Sequence, residues 1–315
     1  MNPKFDISPS DTPLWLRSPA LVIALCISLS ACPEDDVQGE PASDISVEDG
    51  MAMDAATDGS AADGTAADAP EPAPGCETIA SAFQTLGSAN ANLPEPSVSA
   101  VCAGDSVVVS ANAIPDFPYI ETSPGLPRET DAEYTFPANP TPAATTTAVP
   151  LLGPLGVAVN GIPIFGPTEG GGGDVMALGD GFSECGGHNG PSGYHYHTFD
   201  VTGSDDCRFS EAQAAAGHIL FGYAFDGYPI YSGNVQFTSS YQLTDASLFA
   251  DDTWAAHTYV EGSGDLDACN GRTDADGNYA YYTTETFPYV LGCYRGTPTA
   301  NEPVGGPPGG GPPGQ

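Results

Sequence analysis

Three of the chain's five histidines, His188, His195 and His197, fall in the run C-G-G-H-N-G-P-S-G-Y-H-Y-H-T-F from Cys185 to Phe199. Successive side chains of an extended strand point to opposite faces, so Tyr194-His195-Tyr196-His197 sends both imidazoles one way and both phenols the other. Gly190-Pro191-Ser192-Gly193 has the composition of a turn, which folds the chain back and carries His188 toward the other two rings. Imidazole nitrogens converging in this way suit Zn²⁺ or Cu²⁺, with His218, Asp226, Glu184 or water as the fourth ligand. Three histidines and an open position also describe sites where a metal activates water, so an extracytoplasmic metal-dependent hydrolase is the alternative. A third reading is a non-catalytic adhesion or interaction domain in which the tyrosines and histidines only pack or bind a polymer.

The elements that must position the histidines occur twice. Val159-Asn160-Gly161-Ile162-Pro163-Ile164-Phe165 is matched by Phe225-Asp226-Gly227-Tyr228-Pro229-Ile230-Tyr231, and Cys185-Gly186-Gly187-His188 by Cys269-Asn270-Gly271-Arg272. Tyr194-His195-Tyr196-His197-Thr198 then answers to Tyr279-Ala280-Tyr281-Tyr282-Thr283, and each copy ends on a cysteine, Cys207 or Cys293. Two half-units, about 151–207 and 219–296, are expected, the second with Arg272, Ala280 and Tyr282 in place of the three histidines. Equivalent cysteines favour Cys185–Cys207 and Cys269–Cys293, which leaves Cys76 with Cys102. Each bridge closes a loop of roughly two dozen residues and contributes about 3 kcal/mol on the chain-entropy model.

The fold class expected is mainly β: a turn-rich, disulfide-braced domain with few short helices. Strands are predicted over Ser106–Ser110, Gly156–Val159, Phe221–Phe225 and Tyr279–Thr284, rich in β-branched and aromatic residues. Asn160-Gly161 and Asp226-Gly227 are type I′ hairpin signals, and Pro163 and Pro229 just beyond them predict edge strands or bulges. Short helices are predicted over Glu77–Leu86, Ser210–Ala216 and Thr244–Phe249, the second with Ser210 and Gln213 placed for a capping box. Asp274-x-Asp276-Gly277-Asn278 has the opening of a calcium loop but no glutamate twelve residues along, so Ca²⁺ is a minor expectation beside a polar turn.

Residues 1–31 have the pattern of a signal peptide, with sparse basic residues, the apolar run Ala20–Leu29, and then Leu29-Ser30-Ala31-Cys32. Leu-Ser-Ala-Cys resembles a bacterial lipobox, which implies cleavage before Cys32, diacylation of its thiol and anchoring in the cell envelope, at the outer membrane or cell surface. From Cys32 to Gly75 the chain is acidic and free of lysine, arginine and aromatic residues, the composition of a solvated tether. The folded domain is expected over 76–297 and a disordered Gly/Pro tail over 298–315. The formal charge of -35 leaves nothing to neutralise phosphates, which excludes nucleic acid and leaves the membrane, through the lipid, as the one assigned partner.

The block from about Val98 to Gly296 resembles the bacterial YHYH-domain family, named for the tetrapeptide present here at Tyr194–His197. The likeness rests on that tetrapeptide after Cys-Gly-Gly-His, on Gly-Val-Ala-Val-Asn-Gly-Ile-Pro-Ile-Phe, and on Gly-Tyr-Ala-Phe-Asp-Gly-Tyr-Pro-Ile-Tyr. Leu-Asp-Ala-Cys-Asn-Gly and Phe-Pro-Tyr-Val-Leu-Gly-Cys-Tyr-Arg-Gly extend it. The resemblance implies an exported domain. Similar members often carry a histidine in the second tyrosine-rich strand; Ala280 stands there in this chain, which argues against a second metal site.

Overall fold

The computed structural model describes residues 75–122, 125–183, 185–199, 206–233 and 237–301. The signal segment, Cys32, the tether up to residue 74, Glu184 and the tail from residue 302 lie outside the described residues. Fifteen short strands carry the architecture. They are β1 (Val98–Ala103), β2 (Ser106–Ala111), β3 (Ala132–Pro137), β4 (Thr147–Ala148), β5 (Pro154–Ala158), β6 (Pro163–Phe165), β7 (Gly187–Gly190) and β8 (Gly193–Tyr196), then β9 (His218–Ala224), β10 (Pro229–Gly233), β11 (Tyr241–Leu243), β12 (His257–Tyr259), β13 (Gly271–Thr273), β14 (Tyr279–Tyr282) and β15 (Cys293–Tyr294). Helices are few and short: α1 (Cys76–Ser81), α2 (Glu211–Ala216) and α3 (Thr253–Ala256). No helix among the described residues is long and apolar enough to cross a membrane.

The main sheet has eight strands in the order β13-β14-β10-β9-β5-β6-β8-β7. Its centre is the antiparallel pair β5/β9, where Gly156 lies opposite Ala224 and Gly222 opposite Ala158. A Cβ on Gly156 would stand 2.6 Å from the Tyr223 carbonyl oxygen, and one on Gly222 would stand 2.4 Å from that of Val157, so glycine lets these two backbones meet. Outward from this pair the order is the same in both directions: a hairpin partner (β6 or β10), a parallel strand (β8 or β14), and that strand's antiparallel neighbour (β7 or β13).

The three-stranded sheet β1-β2-β3 supplies a second layer. Its inward side chains Val107, Val109, Tyr134 and Phe136 alternate with the less buried Ser106, Val108, Ser110, Glu133 and Thr135, as strands buried on one face require. Phe136 stacks on Tyr223 with ring centroids 5.4 Å apart, and Tyr134 on Phe225 at 5.6 Å, which packs this sheet on the centre of the large one. Disulfides Cys76–Cys102, Cys185–Cys207 and Cys269–Cys293 brace the fold.

Local expectations are corrected at the two hairpin turns and at the third helix. Both hairpins close with an N–H donated to the carbonyl three residues back, Gly161 to Ala158 and Gly227 to Ala224, each at 2.8 Å. Only the glycines have positive φ, 83° and 90°, so these are type I turns followed by a left-handed glycine bulge rather than type I′ turns. The strands that follow lie inside the sheet rather than at its edges, with Pro163 and Pro229 as first residues, where a missing N–H is tolerated; the bulge alternative is met, since register shifts fall between Ile230 and Tyr231 in the β10/β9 ladder and between Pro154 and Gly156 in the β5/β6 ladder. Thr244–Phe249 forms turns, and the helix begins later at Thr253, because the Asp252 side chain caps it by accepting from the Ala255 N–H. Among the described residues that follow Thr297, Thr299 N–H donates to the Phe225 carbonyl, and the Asn301 amide pairs with both backbone groups of Thr135.

Candidate metal centre

The hairpin β7/β8 places His188 directly opposite His195, and His197 follows one step past the strand with its N–H on the Gly186 carbonyl at 2.9 Å. Alternation holds as the sequence requires. Tyr194 and Tyr196 turn toward Phe117, at 5.9 and 6.2 Å, while the histidines share the opposite face with Phe165 and Phe182. All three imidazoles are buried, His197 to 1 % exposure.

Two carbonyls fix the tautomers. A carbonyl can only accept, so His195 Nδ1–H donates to Gly193 O at 3.0 Å and His197 Nδ1–H to Gly166 O at 2.5 Å. Each ring is left with Nε2 turned toward the others, the arrangement in which backbone carbonyls orient metal-ligating imidazoles. Burial holds the His195 pKa well below the ordinary imidazole value, with the neighbouring rings acting in the same direction, so this ring is neutral and competent to donate.

Facing them is Glu169, in the loop after β6. Its Oε1 lies 3.0 Å from both His188 Nε2 and His197 Nε2, and those two nitrogens are 3.3 Å apart. One donor atom from each of Glu169, His188, His195 and His197 lies within 4.8 Å of the others. Burial pushes the Glu169 carboxyl pKa upward, but its contacts with His188 and His197 outweigh that and hold it well below the usual carboxylate range. The carboxylate is the most open part of the cluster, its side chain 26 % exposed.

Sequence reasoning missed Glu169. Its signal was the placement of a carboxylate immediately before Gly170–Gly173, a glycine run with the composition of a flexible loop. The run is in fact a tight turn: Glu169 N–H donates to Gly173 O, and Gly172, with φ 95°, returns an N–H to Glu169 O at 2.7 Å. Which carboxylate would face the histidines depends on this long-range packing.

The other sequence candidates lie elsewhere. His218 is exposed at the start of β9, its ring against Phe237, Tyr282 and Tyr231, and it is not part of the cluster. Asp226 is buried in its hairpin turn and accepts from Tyr281 O–H at 2.5 Å and Gly296 N–H at 2.8 Å. Asp274 spends its carboxylate on the N–H groups of Asp276 and Asn278, which makes a polar turn of the calcium-like run. The remaining histidine, His257, is not a site candidate and stacks on Phe287 at 4.1 Å.

A protein-family model described as YHYH protein matches residues 133–296, just over half of the chain. No curated protein and no solved structure matches.

Proposed function

The chain belongs to the YHYH protein family, and from that premise we propose that it holds a transition-metal ion, Zn²⁺ or Cu²⁺, through His188, His195, His197 and Glu169. One observation carries the reading. His197, whose Nδ1 proton is committed to Gly166, brings Nε2 within 3.0 Å of Glu169 Oε1, a contact that needs a cation between the two atoms, supplied by a proton on Nε2 or by a metal ion bound to both. The neighbouring separations of 3.0 to 3.3 Å approach the edge of about 3.3 Å expected of a tetrahedron with metal–ligand bonds of about 2.0–2.1 Å. Neutral nitrogens with one carboxylate suit Zn²⁺ and Cu²⁺.

Four protein donors complete a closed set, the pattern of sites that hold an ion for structure, capture or sensing rather than of sites that keep a position open for water. Holding is therefore preferred to hydrolysis. Chelator-stripped full chain, reloaded and desalted, is expected to retain close to one equivalent of metal by elemental analysis; less than a tenth of an equivalent of every transition metal tried would end the reading. Ester or phosphoester turnover that disappears in His195→Ala would instead restore the hydrolase.

We further propose that the protein works at the bacterial envelope, lipid-anchored through Cys32. Leu29-Ser30-Ala31-Cys32 and the acidic spacer behind it support this. Cys32→Ser is expected to move the protein from the membrane fraction to the soluble one.

A further inference from the structure

Three of the four donors are fixed by a single hairpin, whereas the fourth sits on a turn with no strand of its own. The stem of that turn is the bridge between Thr168 and Asp174. Contacts from much later in the chain hold this stem. Thr253 Oγ1–H donates to Asp174 Oδ2 at 2.6 Å, Tyr289 O–H to Asp174 Oδ1 at 2.7 Å, and Trp254 Nε1–H to Thr168 Oγ1 at 3.0 Å. Backbone contacts run alongside: Asp174 N–H to Phe249 O at 2.9 Å and Thr253 N–H to Gly172 O at 3.0 Å. A Cβ on Gly173 would stand 2.1 Å from the Ala250 carbonyl oxygen, so the glycine run is what lets the turn seat on this segment.

Asp174 is 1 % exposed, yet it supplies no atom to the cluster. Tyr289 reaches it from a left-handed backbone, φ 63°, that aromatic residues seldom adopt and that persists only where the surroundings over-determine it. Resting on the metal-site reading above, we infer that Asp174 is the positioning residue of the fourth ligand: it ties the Glu169 turn to Thr253 and Tyr289 and so holds the carboxylate at His188 and His197. Asp174→Asn replaces one accepting oxygen of the carboxylate with an N–H donor, so one hydroxyl must reverse its role and a bond to a carboxylate becomes a weaker neutral one on one side of the stem. Glu169 then samples positions away from the rings, and the set falls to three imidazoles.

The test is a cycle on the disulfide-intact full chain: wild type, Asp174→Asn, Glu169→Gln and the double variant. Zn²⁺ affinity is read by competition with a chromophoric chelator, and coordination by the visible absorption of the Co²⁺ form. Asp174→Asn is expected to weaken Zn²⁺ about 10- to 100-fold, the range for groups that orient ligands. Its Co²⁺ spectrum should shift in the same direction as that of Glu169→Gln, and it should cost no further affinity once Glu169 is already Gln. Unchanged affinity in Asp174→Asn, or the same loss with and without Glu169, overturns the assignment while leaving the metal site standing. A wild type that takes up no Zn²⁺ and no Co²⁺ removes both. If Asp174→Asn fails to fold, Tyr289→Phe replaces it in the cycle, with a smaller loss and the same non-additivity expected.

Discussion

The eight-stranded sheet ends in two ladders made alike, of which one presents imidazoles and the other does not. Gly187 faces Tyr196 and His188 faces His195 in the first; Gly271 faces Tyr281 and Arg272 faces Ala280 in the second. The loop before each is stitched identically: Gly186 N–H to Ser183 O and Ser183 N–H to Gly187 O, against Asn270 N–H to Asp267 O and Asp267 N–H to Gly271 O. Gly186 and Asn270 share a left-handed backbone, φ 77° and 63°. Even the strand exits agree, with His197 N–H on Gly186 O and Tyr282 N–H on Asn270 O. In each the first tyrosine's hydroxyl meets a side chain of that loop, Ser183 or Asp267. The tyrosine face, glycines and disulfides thus suffice to build the ladder. The second ladder is built without histidines, and Arg272 there stacks over Phe237 at 4.4 Å.

If that division is correct, the largest effect belongs to the metal and not to the fold. Structural Zn²⁺ sites bind with about 10–16 kcal/mol, so each of four ligands carries about 3 kcal/mol, a hundred- to thousandfold in affinity. His195→Ala should lose metal on that scale in a chelator competition while the metal-free protein still unfolds cooperatively in urea, since Ala280 already occupies the matching place in the other ladder. Loss of folding on this substitution would mean that the rings are scaffold after all.

Next in size are the glycines that both ladders share. A Cβ on Gly187 would stand 2.5 Å from His195 O, and one on Gly271 would stand 2.2 Å from the Tyr279 hydroxyl oxygen. Alanine at either should cost about 1–3 kcal/mol of unfolding free energy by overpacking, similar at the two ends and measurable by urea denaturation. A silent Gly271→Ala beside a costly Gly187→Ala would break the equivalence.

Much of this was legible in the residues because it is local. The alternation of Tyr194 to His197, the Gly-Pro-Ser-Gly turn, the Ser210 capping box and the correspondence of Cys185 and Cys207 with Cys269 and Cys293 each depend on near neighbours or on comparing one stretch with another. What escaped is non-local. Glu169 joins the histidines only because Asp174 is tied to Thr253 and Tyr289, whose sequence separations from it are 79 and 115 residues. His218 has the right side chain on the wrong strand: β9 lies at the sheet's centre and its first residue opens toward the second ladder's aromatic rings. For Pro163 and Pro229 the bulge alternative held in the ladders they enter, and the edge alternative failed because a strand's first residue can forgo its N–H even inside a sheet.

The smallest effect sets the two halves of the sheet against each other in sign. His195 is buried with its pKa depressed, so between that value and the unfolded one of about 6.5 the unfolded chain binds more protons, and stability falls as pH drops through this window. Asp226 is the reverse case: burial raises its pKa despite the hydrogen bond from Tyr281, so above the unfolded value of about 3.8 the folded chain binds more protons. The stability this adds at low pH is lost as pH rises through its folded value. Each group can contribute up to about 1.4 kcal/mol per pH unit inside its window. Metal-free wild type should therefore lose stability as pH falls below 6.5, His195→Ala should flatten that loss, and Asp226→Asn should steepen the acid limb by removing the opposing contribution. Urea midpoints taken at intervals from pH 7.5 to 4 separate the three curves. A His195→Ala profile parallel to wild type would show that this ring's protonation does not report on the fold, and the proposed asymmetry in charge between the halves would go with it.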